Sequence, residues 1–235
     1  MDGDAAAPPP RAVTRDGCLG LEGEVGRLEV DLVGGRLGYR LRHGGGRGQT
    51  LARALGAGRG RELPRVFDAT AGLGRDAAVM AVLGCEVLAC ERHPMVHELL
   101  ADGLRRALAD AETAALLGGR LQLLPGDAAA LLAAWTAGEA KASTLTAFAP
   151  SVVYLDPMHP PRRKGAQVRK EMRLFRELVG VDDDQAGLLA AARASPAARV
   201  VVKRPAGADP LANGVATRIG GKTTCYDIYL RPNSQ

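Results

Sequence analysis

The sequence predicts an α/β protein built on a mostly parallel sheet with helices on both faces. Three observations predict it. From about residue 64 onward, apolar runs of strand length alternate with stretches of helical texture. The strand runs are apolar at consecutive positions, as in "SVVYLD" and "ARVVVKRP", which is how a strand buried on both faces reads. Helical stretches separate these runs, the order expected of crossovers in a parallel sheet.

Each element can be justified in turn. "RVFDAT" is the first strand of this region and "RDAAVMAVLG" its helix. "CEVLACE" is the second strand, followed by one long helix, "PMVHELLADGLRRALADAE", begun by Pro94. "RLQLLP" and "DAAALLAAW" make the third strand and helix. "SVVYLD" is the fourth strand and "ARVVVKRP" the fifth. "GVATRIGGKTTCYDIYL" reads as two β segments around a Gly-Gly turn, which brings the sheet to seven strands and places an antiparallel strand at one edge.

The upstream region differs in texture. Residues 1–17 lack periodicity and carry three consecutive prolines, so a disordered tail is expected. Leu28, Val30 and Leu32 alternate with charged residues, and after Gly34-Gly35 so do Leu37, Tyr39 and Leu41. That alternation predicts a two-stranded hairpin within an extension over 18–63, ending in a Gly-rich loop and a short helix. The main domain spans 64–235.

Composition narrows the function classes. Hydrophobic residues at 46% and charged residues at 24% suit a globular protein. Aromatic residues are only 3%, which argues against modules that stack bases on rows of Phe and Tyr. A net charge of +5 and a pI near 9.3 are compatible with a polyanionic partner. Cys18, Cys85, Cys90 and Cys225 show neither a CxxC pair nor a zinc-type spacing, so free thiols and no metal are expected. No segment reads as a signal peptide or membrane span, which points to a cytoplasmic protein with no membrane partner.

Ligands of such sheets bind outside the carboxyl ends of the strands, so the strand ends are the informative residues. In "FDATAGLGRDAA", Gly72 and Gly74 lie in the turn between the first strand and its helix, where glycine permits close backbone approach and positive φ. The helix start offers free N–H groups and a positive dipole end. Glu91 closes the second strand, 19 residues after Gly72, where a carboxylate can accept bonds from both ribose hydroxyls of a nucleotide.

The same turn fits G-x-G-x-x-A, so NAD and an oxidoreductase are one reading. Asp68, just before the turn, would oppose a pyrophosphate but suit a cationic amino-acid group. Arg75 and Asp76, one charge of each sign at the helix start, suit a zwitterion. The balance favours S-adenosylmethionine. Asp127 is placed either to meet the adenine or to cap its helix.

At the fourth strand end stands "DPMHPPRRKG". Exocyclic amines of nucleobases are poor nucleophiles, because the lone pair is delocalised into the ring. Asp156, with Pro157 fixing the adjoining backbone, could accept the amine N–H bonds, localise the lone pair and aim it at a methyl donor. Asp-Pro-Met-His-Pro is a variant of the Asn/Asp-Pro-Pro-aromatic motif of amino-directed methyltransferases, with Met158 and His159 where the aromatic usually stands. His159 would stack on the base or cap the loop. Arg162, Arg163, Lys164, Arg169 and Arg173 follow, and Lys203 and Arg204 end the fifth strand; all seven are candidate phosphate contacts. Val168, Met172, Phe175 and Val179 recur at helical spacing as a buried stripe.

"DATAGLGRDA", "YLDPMHP", "KEMRLFRELVG", "RVVVKRP" and "YDIY", in this order, resemble the bacterial 16S ribosomal RNA guanine-N2 methyltransferase J family. "VDLVGGRLGYRLRHGGGRGQ" resembles the segment preceding that family's core, so the likeness covers about residues 28–230. The resemblance implies a Rossmann-like class I methyltransferase fold and S-adenosylmethionine as methyl donor. Its implied substrate is the exocyclic amine of one guanine in 16S ribosomal RNA, met as free RNA or within the small ribosomal subunit. It further implies cofactor contacts at Arg75, Asp76, Glu91, Arg92 and Asp156. The chain departs from the family at Asp127-Ala128, where small hydroxyl residues are usual, and at His159, where Phe is common.

Overall fold

The computed structural model describes residues 10–24, 26–44, 46–157, 170–180, 184–221 and 223–231. Its main sheet has seven strands: β4 (Arg65–Asp68), β5 (Glu86–Glu91), β6 (Leu121–Pro125), β7 (Val152–Leu155), β8 (Arg199–Pro205), β9 (Thr217–Gly220) and β10 (Thr224–Leu230). They lie in the order β6-β5-β4-β7-β8-β10-β9. The first five in that order are parallel, and β10 is antiparallel to both its neighbours. The antiparallel strand is therefore inside the sheet rather than at its edge. Burial explains the difference: Cys225 to Tyr229 are all buried, whereas β9 is almost wholly exposed and suits an edge.

Successive residues of the strands enter opposite cores. Val66, Val152, Tyr154 and Val201 join one apolar cluster; Phe67, Val153, Leu155, Val200 and Val202 join the other. The first is covered by α3 (Arg75–Val82), α4 (Pro94–Ala109) and α5 (Ala111–Leu117). The second is covered by α6 (Ala128–Ala137), α7 (Ser143–Phe148) and α9 (Gln185–Ala194). The single long helix expected after β5 is two. Asp110 has extended backbone, and its carboxylate accepts from Thr113 N at 2.9 Å, which ends α4 and caps α5.

The N-terminal region corrects the sequence reading most. Arg11–Arg15, expected in a disordered tail, form strand β1, paired with β2 (Cys18–Gly23), which pairs with β3 (Gly26–Glu29) in an antiparallel three-stranded sheet. The expected return strand over Leu37–Leu41 is a helix, α1 (Gly35–His43). Asp31 explains the switch: its carboxylate accepts from the N–H groups of Val33 (2.9 Å) and Gly34 (2.8 Å), which turns the chain into a helix start. Leu37 and Leu41 are also one helical turn apart, so the same residues satisfy either period; the helix buries Leu41 and leaves Tyr39 68% exposed.

A short helix, α2 (Thr50–Leu55), follows the Gly-rich loop as expected. Leu21, Leu28, Val30 and Leu32 belong to the same apolar cluster as the strands, so the extension shares the main core. Gly103 of α4 makes the close approach possible: a Cβ there would lie 2.4 Å from Val30 Cγ1 and 2.8 Å from the Val30 carbonyl oxygen. Among the described residues no helix is long and apolar enough to cross a membrane.

Candidate active site

The chain runs outward from β4 through β5 to β6, then returns to β7 on the other side of β4. Strand order reverses between β4 and β7, and the carboxyl ends diverging there leave a crevice. A cavity of about 400 Å³ occupies it. Asp68, Gly72, Arg75, Asp76, Glu91, Arg92, Asp127, Asp156, Pro157 and Lys203 all line it, so one place gathers residues spread over 136 positions of sequence.

Asp68 ends β4 at 2% exposure and accepts a bond from Thr70 N at 3.1 Å. Burial pushes its carboxyl up to about 8; the nearby Asp76 and Asp156 push the same way. Such a group awaits a cation. Glu91 ends β5, and its two oxygens accept from Gly72 N and His93 N, each at 2.8 Å. It thereby ties the glycine turn to the start of α4, and a carboxylate so held still has acceptor sites to offer.

The two glycines differ in purpose. Gly72 has φ +51, and a Cβ added there would meet little besides the Phe175 ring at 3.6 Å, so its lack of a side chain keeps the cavity wall open. Gly74 (φ +70) is needed for packing, since a Cβ would stand 2.3 Å from Leu100 Cδ1 of α4. Asp127 caps α6, accepting from Ala130 N at 2.8 Å, while also lining the cavity, so both of its expected roles are geometrically available.

On the other side of the crevice a charged chain connects three elements. Lys203 Nζ of β8 lies 2.7 Å from Asp76 Oδ2 and 2.6 Å from Asp156 Oδ2. Tyr154 OH donates to Asp76 Oδ2 at 2.6 Å, and Thr70 Oγ1 accepts from Asp156 N at 2.7 Å. Burial alone would raise the Asp76 carboxyl, but Lys203, the Tyr154 hydroxyl and Arg40 outweigh it and hold it below the usual carboxylate range. Burial likewise disfavours the Lys203 ammonium, yet Asp76 and Asp156 drive its pKa above the ordinary value. Burial and the neighbouring carboxylates keep Tyr154 a neutral donor.

Two candidate phosphate contacts are placed otherwise than expected. Lys203 faces the cavity between two carboxylates rather than the rim. Arg204, one residue on, faces the opposite side of the sheet at 2% exposure. There Asp227 of β10 accepts from its Nε at 2.5 Å and its Nη2 at 3.2 Å, and Ala208 accepts from Nη1. Arg204 holds the sheet together and has no exposed surface for RNA; exposed Arg218 adds a second bond to Asp227 at 2.7 Å.

Arg173 lies exposed on α8 (Lys170–Val179), 3.8 Å from Glu177. Of the buried stripe, Phe175 is buried and lines the cavity, and Val179 is half-buried; the stripe also includes Leu174. Met158, His159, Arg162, Arg163, Lys164, Val168 and Arg169 lie outside the described residues, as does the side chain of Met172. Sequence reasoning missed Thr70, Tyr154, Asp184 and Arg40 as cavity residues. Thr70 and Tyr154 sit within or beside the strand-end motifs, which could have pointed to them; Arg40 is hidden when α1 is read as a strand.

The comparisons with known proteins agree with this geometry. A profile of SAM-dependent methyltransferases matches residues 19–231. A ribosomal RNA small subunit methyltransferase J from Yersinia enterocolitica is 50% identical over 216 residues, covering 89% of this chain and 79% of that protein. Its counterpart from Yersinia pestis is 51% identical over 218 residues, 91% and 78% of the two chains. Among solved structures, a SAM-dependent methyltransferase from Neisseria gonorrhoeae superposes with a TM-score of 0.72 at 34% identity, covering 100% of this chain and 88% of the other. An rRNA methyltransferase from Streptomyces viridochromogenes shares the fold, with a TM-score of 0.52 at 19% identity over 77% of this chain and 82% of its own.

Proposed function

The chain belongs to the SAM-dependent methyltransferase family, and from that premise we propose that it methylates the exocyclic N2 amine of a guanine in 16S ribosomal RNA. One observation carries the choice of an amine: the Asp156-Pro157 pair stands at the switch point, opening onto the same cavity as Asp68 and Glu91. The choice of small-subunit RNA is supported by the names of relatives that are 50% and 51% identical over 89% and 91% of this chain. Family membership removes the NAD reading.

The cavity suits S-adenosylmethionine end to end. Asp68 would take the ammonium group, with Arg75 at the start of α3 beside the carboxylate. Glu91 would accept from the ribose hydroxyls, with Arg92 alongside, and Asp127 would meet the adenine edge. When bound, the cofactor supplies an electrophilic methyl whose bond to sulfur breaks with both electrons going to sulfur. The chain's own work is positioning. Asp156 accepts N–H bonds from the guanine amine, which concentrates the lone pair on nitrogen and aims it into the cavity. Lys203 Nζ, 2.6 Å from Asp156 Oδ2, holds that carboxylate in one orientation. Asp156 can then take the proton the nitrogen sheds on methylation.

The test is transfer of tritiated methyl from S-adenosylmethionine to 16S RNA and to small subunits from a strain lacking the gene. Wild type labels one of the two, and Asp156→Ala, which removes the acceptor oxygens, reduces the rate by roughly 10²-fold or more while leaving the fold intact. Label on neither substrate would end this reading.

A further inference from the structure

The helix α1 presents an exposed face that joins the cavity only at Arg40 among the residues described. Arg36, Tyr39, Arg40 and His43 follow one another at helical spacing and are all exposed. Tyr39 is the most exposed large apolar residue described, and its ring centroid lies 4.6 Å from that of His43. Over residues 32–61 the chain carries seven arginines and one histidine without a single Asp or Glu.

Several of those arginines have structural duties. Arg42 pairs with Glu112 of α5 at 2.7 Å, and Arg47 donates to the carbonyls of Ala57 and Arg61. Arg36 has no ion pair or hydrogen bond among the described residues, and neither does the Tyr39 hydroxyl. The face also has a definite place. Arg40 lines the cavity with its guanidinium 4.0 Å from Asp76, so Arg36 and His43 lie about one helical turn to either side of a cavity residue, and Tyr39 is next to it.

We propose that this face of α1 is a docking surface for the substrate RNA, with Tyr39 and His43 carrying an unpaired base and Arg36 gripping a phosphate beside the target nucleotide. The assignment rests on the RNA reading above and names where that RNA is held. A single aromatic among basic groups fits a base and its phosphates. A membrane surface would call for an apolar stripe, and the apolar side of α1 is turned into the core at Leu41. In a chain with so few aromatics, leaving one this exposed beside a cavity residue is otherwise a cost without return.

The test measures binding of a full-length 16S RNA transcript by filter retention across a salt series, with KM and kcat from tritium transfer. Tyr39→Ala should raise the KM for RNA roughly tenfold with kcat little changed, and Tyr39→Phe should restore it, since the ring does the stacking. Arg36→Gln should lower the slope of log K against log salt by about 0.7. The affinity for S-adenosylmethionine should match wild type in each. Lys141→Gln, on the connection between α6 and β7, controls for net charge and should leave the slope unchanged.

Wild-type KM and slope in both α1 variants, with transfer intact, would overturn the docking surface and leave the RNA reading standing. A wild type that neither binds nor methylates the transcript or small subunits would overturn both. Loss of binding to anionic phosphatidylserine vesicles in Tyr39→Ala, with KM for RNA unchanged, would also reject the proposal.

Discussion

Asp68 is a carboxylate placed where ionisation is costly, so its proposed role in holding the cofactor's ammonium group would tie binding to protons. At pH 7 the free protein holds Asp68 mainly protonated, because burial has pushed its pKa to about 8. A bound ammonium favours the ionised form, so binding should release a proton; titration calorimetry in buffers of different ionisation enthalpy should detect it, and Asp68→Asn should abolish both the release and tight binding. The stability sign follows from the same shift. The folded pKa lies above the unfolded value of about 3.9, so folding loses stability as pH rises from about 4 through 8. Ligand-free Asp68→Asn should therefore be more stable than wild type at pH 8, by on the order of a few kcal/mol, with the gap closing toward pH 4. Denaturant unfolding at both pH values checks this; equal stability at pH 8 would count against it.

Lys203 offers a second prediction at this scale. Removing its charge in Lys203→Met leaves Asp76 and Asp156 facing each other, with Asp68, Tyr154, Tyr226 and Arg40 around them. Asp76 loses the cation that holds its carboxyl low, so the acidic limb of the pH–rate profile should move up, and Lys203→Arg should restore much of it. An unmoved limb would show that Lys203 does not set the charge state of this cluster. Lys203 and Arg204 also mark the reach of sequence reading. Both were visible as bases at a strand end, but adjacent strand residues point to opposite faces. Which face held Asp76 and which held Asp227 depended on partners 127 and 23 residues away.

Among the elements, the seven strands of the main sheet were legible because apolar runs of that length have few alternatives between helices. Of the N-terminal elements, the short helix α2 was legible but β1 and α1 were not. Leu37, Tyr39 and Leu41 fit a period of two, while Leu37 and Leu41 alone fit a helix, and tertiary packing decided between them. The β1 strand was illegible because "RAVTR" is half polar and acquires its order by pairing with β2. The docking of that small sheet can be tested at Gly103. Gly103→Ala places a methyl against the Val30 backbone and should destabilise the protein by about 1–3 kcal/mol, read as a fall in denaturant midpoint. A midpoint equal to wild type would show that α4 and the small sheet are not packed as closely as described.

For the molecule as a whole, the site is a consequence of strand order. The return of the chain from β6 to β7 opens one crevice, and the motifs at four strand ends meet there because parallel strands all end on the same side. That much followed from the sequence alone, since Asp68, Glu91, Asp127 and Asp156 each closed or followed a recognisable strand. Ligand binding to this crevice should stabilise the fold by mass action. At a hundredfold excess of S-adenosylmethionine over its Kd the gain is about 2.7 kcal/mol, and NAD at equal concentration should give none. The central claim is that an amine of guanine is the methyl acceptor, and nucleoside mass spectrometry of 16S RNA methylated by the purified enzyme tests it most directly. The product should be N2-methylguanosine, lost in Asp156→Ala; methylation at a ring nitrogen, at a ribose oxygen or on another base would contradict it.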